Sequence, residues 1–127
     1  MTEVLPVLRP LRTEADYRAA LQQAEALFDL PEEPDPGSDV GAHFDALITL
    51  IHAYERKHYP VEAPDPVEAI RFRMEQQGLT PADLQPMIGR LNRVYEVLNR
   101  KRPLTLAMMR RLHAQLGIPA EVLIGPP

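Results

Sequence analysis

Two proline-rich stretches, PEEPDPGSD at residues 31–39 and YPVEAPDP at 59–66, cut the 127-residue chain into three lengths that helices can fill. Proline fixes φ and lacks the N–H that an α-helix or a central strand must donate. Neither stretch can therefore lie inside an element, and the acidic side chains of the first also repel one another. Elsewhere apolar residues recur at helical spacing, with almost no strand-like alternation. The pattern predicts an all-α chain. It has an N-terminal helical pair in residues 1–64 and a helical domain in 65–127, joined through a semi-rigid connector at 59–66.

Helix starts are marked in each length. Thr13 with Asp16 forms a T-x-x-D capping signal, followed by the stripe Tyr17, Ala20, Leu21, Ala24, Leu27 and Phe28. A second helix begins near Ser38 or Asp39 and turns Phe44, Leu47, Ile48, Ile51 and Tyr54 or Glu55 inward. It ends before Tyr59-Pro60, because the residue before a proline disfavours the α region. Asp65 can cap a third helix, with Pro66 in its first turn, Val67, Ile70 and Met74 inward, and Gly78 as its stop. Thr80 and Asp83 repeat the capping logic for a short helix that Pro86 should kink or shorten and Gly89 should end. Thr105 caps a helix carrying Leu106, Met109, Leu112 and Leu116, and residues 120–124 add a last turn.

Between these last two lies IGRLNRVYEVLNRKRPLT, residues 88–105. Helices over about 81–87 and 91–99, separated by a tight glycine-containing turn, are the signature of a helix-turn-helix. At about 100° per residue, Val94, Val97 and Leu98 fall on one side of the second helix, with Leu91 at the edge. Asn92, Tyr95, Glu96 and Asn99 fall opposite, with Arg93 on the flank and Arg90 just ahead. These are side chains that read base edges in a major groove: Asn pairs with adenine, Arg with guanine, Glu accepts from cytosine, and a tyrosine ring meets a thymine methyl. Arg100, Lys101 and Arg102 follow, placed to reach phosphates. A short module of this kind reads few base pairs. A homodimer with helices about 34 Å apart on an inverted-repeat operator is therefore expected.

Charge divides the chain in the same place. Residues 1–64 carry five basic and twelve acidic side chains, a balance of −7, whereas residues 65–127 carry nine and six, a balance of +3. Such asymmetry suggests different partners for the two halves. Catalysis is not expected. There is no cysteine, and Ser38 is the only serine. His43, His52, His58 and His113 have no i, i+4 pair suited to zinc, so neither a metal nor any other cofactor is expected. No window suits a membrane span and no export signal stands at the start, so a cytoplasmic protein with no membrane partner is expected.

Residues 74–125, MEQQGLTPADLQPMIGRLNRVYEVLNRKRPLTLAMMRRLHAQLGIPAEVLIG, resemble the phage-repressor-like helix-turn-helix of Xre-like repressors. With DPVEAIRFRMEQQGL, YERKHYP and TEADYRAALQQAEALF upstream, nearly the whole chain resembles HigA-type antitoxins. The resemblance implies a five-helix Xre-like domain behind the N-terminal pair. It also implies a dimeric repressor of its own operon that neutralises a RelE-like ribonuclease toxin of the HigB type. By the same resemblance Asn92, Arg93, Tyr95 and Glu96 match the base-reading helix, and Lys101 and Arg102 its phosphate-contacting end. The small residue or glycine usual after that helix is here Arg100, which points to Asn99 as the residue in left-handed conformation.

A ribonuclease must be basic to hold RNA, so the acidic half is the expected toxin-docking region. Its candidate residues are Tyr17, Leu21, Leu27 and Phe28 on the first helix and Glu32, Glu33 and Asp35 in the loop. The alternatives are a stand-alone Xre-like transcription regulator and a scaffold whose polar helix face meets another protein.

Overall fold

The computed structural model describes residues 6–59 and 65–125. All regular structure among them is helical, in two compact units, residues 1–63 and 64–127. Most of the proline-rich connector expected at 59–66 lies outside the described residues. No described helix is long and apolar enough to cross a membrane.

Unit 1 is built on α1 (Glu14–Ala26), which runs on into a 3₁₀ turn (Leu27–Asp29), and α2 (Asp39–His58). Thr13 and Asp16 form the reciprocal capping box, and the backbone N–H groups of Arg12 and Thr13 hold the Asp16 carboxyl below its usual range. Ser38 caps α2 by accepting from the Gly41 N–H at 3.2 Å. Tyr17, Ala20, Leu21, Ala24 and Phe28 are buried along with Phe44, Leu47 and Ile51, whereas Leu27 and Ile48 lie at the edge of their stripes and are half-buried. Both Tyr54 and Glu55 are buried, where a single inward position was expected. Tyr17 resolves the conflict. Its ring stacks on Tyr54 at 4.7 Å, and its hydroxyl donates to Glu55 Oε2 at 2.9 Å, so a carboxylate 1% exposed keeps a hydrogen bond. At the start of α1, Glu14 Oε2 accepts from the hydroxyls of Tyr59 at 2.6 Å and Tyr54 at 3.1 Å.

Unit 2 contains α3 (Pro66–Gln77), a 3₁₀ turn (Pro81–Leu84), α4 (Gln85–Ile88), α5 (Leu91–Leu98), α6 (Leu106–Leu116) and α7 (Ala120–Ile124). The short helix expected over 81–87 is thus two pieces, a capped 3₁₀ turn and one α turn. Pro86 stands at the first α positions, where its missing N–H interrupts no ladder. Asp83 sits below its usual carboxyl range because the Thr80 backbone N–H donates to it. Ile70, Leu84, Val94, Leu112, Ile118 and Leu123 are fully buried, and Met74, expected inward, is half-buried. Gly78 and Gly117 end α3 and α6 in the left-handed conformation.

Candidate nucleic-acid interface

The short helix α5 is anchored on one side only. Val94, Val97 and Leu98 are buried, and the helix packs against α3, α4 and the 3₁₀ turn. Gly89 sets its entry direction. At φ 133°, ψ −156° this residue occupies a region essentially confined to glycine. The Arg93 stem lies over it, 3.8 Å from where a Cβ would stand.

On the other side Asn92 and Asn99 are exposed, Tyr95 is 47% exposed, and Arg93 and Glu96 are half-buried. Arg90 stands exposed at the entry of the helix, and Arg100, Lys101 and Arg102 are exposed beyond its exit. All nine candidate residues therefore lie on α5 or within four residues of it. The Nε of Arg93 is shielded from solvent yet has no hydrogen-bond partner among the described residues, which is uncommon for a buried donor. Thr13, Ser38, Asp65 and Thr105 cap α1, α2, α3 and α6 with a side-chain oxygen, whereas α5, like α4 and α7, starts with no side-chain cap hydrogen bond.

The helix exit corrects one expectation. Asn99 has φ −92° and is not left-handed; Arg100 is, at φ 60°. The Lys101 N–H donates to the Glu96 carbonyl at 2.9 Å and the Arg100 N–H to the Val97 carbonyl at 3.0 Å, the 6→1 and 5→2 bonds of a Schellman turn. That register places position 100, not 99, in the left-handed slot. A Cβ there costs about 1–2 kcal/mol against a right-handed residue. The Arg100 guanidinium pairs with Asp65 Oδ2, which keeps it firmly charged. The other oxygen of that carboxylate, Oδ1, accepts from the Val67 N–H at 2.9 Å and caps α3.

The basic run is accordingly less open than its sequence suggests. Arg100 is held by Asp65, and Arg102 Nε lies 2.9 Å from Glu96 Oε2. Lys101 makes no ion pair among the described residues. Sequence reasoning missed Arg71, whose Nη2 donates to the Leu98 carbonyl at 2.8 Å and closes the last turn of α5 from α3. No local signal marks it, because its partner is 27 residues away.

In unit 1 the candidates for toxin docking separate by burial. Tyr17, Leu21 and Phe28 are consumed by the unit's own core and Leu27 is half-buried, while Glu32, Glu33 and Asp35 are exposed in the loop between α1 and α2. No family model matches the chain, and no curated protein matches it.

Proposed function

We propose that the protein is a dimeric, sequence-specific DNA-binding repressor in which α4 and α5 form a helix-turn-helix and α5 reads the operator. We further propose that unit 1 neutralises a ribonuclease toxin of the RelE-like HigB type, as the resemblance to HigA-type antitoxins implies. One observation carries the DNA-binding reading: α5 is fixed by three buried apolar residues while Asn92 and Tyr95 stay exposed, with Arg93 half-buried on the flank. Asn92 and Arg93 have the donors and acceptors for adenine and guanine edges, and Tyr95 offers a ring to a thymine methyl. Arg90 and the uncapped amides at the start of α5 suit a phosphate, since a helix N-terminus favours anions.

The toxin-binding part is supported by charge. Asp29, Glu32, Glu33, Asp35 and Asp39 are exposed within eleven residues that contain no basic side chain. An exposed acidic loop attracts a basic enzyme and speeds its association.

The test is selection of duplexes from a random pool with the full chain, followed by binding across a salt series. Enrichment of an inverted repeat is expected, with log affinity falling at about 0.9 per phosphate contact against log salt. A pool that shows no enriched sequence would remove the repressor. Co-expression with the neighbouring reading frame tests the second part, and a partner that is neither bound nor silenced would leave a stand-alone regulator.

A further inference from the structure

We infer that Glu96 damps the phosphate binding of the DNA-binding face by pairing with Arg102 rather than reading a base. The inference rests on the DNA-binding reading above and concerns the regulation of that same surface. The left-handed turn at Arg100 folds the chain back, so that residue 102 returns to the helix it has just left. There Arg102 Nε donates to Glu96 Oε2 at 2.9 Å. Both side chains remain partly exposed, so a phosphate can compete for the guanidinium.

Arg100 is engaged in the same way by Asp65. Of the three consecutive cations, Lys101 alone has no carboxylate partner among the described residues. Two charges of the three-cation run are thus already offset by a carboxylate. A phosphate that takes the Arg102 Nε donor must displace Glu96, and one that takes the other guanidinium N–H groups meets the carboxylate's charge beside it. That cost falls on operator and random duplexes alike, because phosphate contacts carry no sequence information. The carboxylate therefore weakens the phosphate-driven share of binding on every sequence, whereas a base-reading carboxylate would act at one base pair of the operator.

The experiment measures binding of the full chain to a labelled random-sequence duplex and to a pool-selected operator, between 50 and 200 mM salt. Glu96→Gln keeps the shape and removes the charge. Its random-duplex log–log slope should steepen by about 0.9, equivalent to roughly threefold more affinity lost across that range. The operator-to-random affinity ratio should stay the same, and a severalfold fall would show that Glu96 reads a base and overturn the inference. Placed in an Arg102→Gln background, Glu96→Gln should leave the slope unchanged. An unchanged slope in the single variant overturns the inference, as does equal steepening with Arg102 absent, which would make Glu96 a general repulsive charge. Weaker random-duplex binding by Glu96→Gln also overturns it. Failure of the unaltered chain to bind any duplex would be seen separately and would remove the DNA-binding reading beneath. A thermal melt of each variant checks folding, with Glu96→Ala in reserve.

Discussion

Arg71 on α3 closes the end of α5: its Nη2 donates to the carbonyl of Leu98 at 2.8 Å. That carbonyl lies in the last turn, where the helix has no N–H of its own to offer. Arg71→Met keeps most of the aliphatic stem and leaves the carbonyl to water. The expected loss is about 1 kcal/mol of unfolding free energy in urea, with α5 amides exchanging faster than those of α6. Unchanged α5 exchange would mean that the hydrogen bond contributes nothing to holding the helix end.

Gly89 should not tolerate a side chain. Nothing lies closer than 3.8 Å to the Cβ position, so the obstacle is backbone strain and not space. Gly89→Ala and Gly89→Ser should each cost about 1–3 kcal/mol. Denaturation midpoints equal to the parent's in both would show that the turn before α5 has another accessible geometry.

Base-reading and phosphate-binding side chains should separate in a binding assay. Arg93→Ala is expected to cost about 1–3 kcal/mol on the operator and to relax preference at one position. Lys101→Ala should weaken all duplexes alike and reduce the salt slope by about 0.9. Equal losses on operator and random duplex for Arg93→Ala would take Arg93 out of base reading.

The acidic loop of unit 1 is seated on the first turn of α2. A Cβ at Gly41 would stand 2.9 Å from the carbonyl oxygens of both Asp35 and Pro36. Since both are backbone atoms, neither can rotate away. Gly41→Ala should destabilise unit 1 by about 1–3 kcal/mol and displace the loop, which calorimetry would detect. If that loop is where the toxin docks, affinity for the toxin should fall as well.

Glu14 and Tyr59 should give unit 1 a stability plateau with two edges. The Tyr59 hydroxyl, more than any other group, holds the Glu14 carboxyl below its ordinary value of 4.5. Its contribution is then complete above 4.5 and lost as pH falls through the depressed value. Tyr59 is raised above 10.0, first by that hydrogen bond and then by burial, so its contribution is complete below 10.0 and lost as pH rises through the raised value. Urea midpoints of Glu14→Gln measured against pH should be flatter at both edges. Curves parallel to the parent's would show that other groups set them.

Helix starts were legible because capping is local. Thr13, Ser38, Asp65, Thr80 and Thr105 each act within three residues of themselves, and each begins an element. The apolar stripe of α5 was legible for the same reason, since 3.6-residue periodicity alone gathers Val94, Val97 and Leu98. The helix exit was not. Local preference favours Asn at a left-handed position, but the register of the turn puts Arg100 there, where Asp65, 35 residues earlier, engages its guanidinium. The closeness of Arg102 to Glu96 depends on that turn and was hidden with it. Burial of Glu55 required knowing that Tyr17 stands opposite, 38 residues away.

One carboxylate fastens two helices. Asp65 gives one oxygen to the opening amides of α3 and the other to the guanidinium that follows α5. Fraying at either place loosens the other, so the two ends should open as a single event. The exit of α5 is therefore tied to the entry of α3 by a residue that lies outside the helix and well before it in the chain.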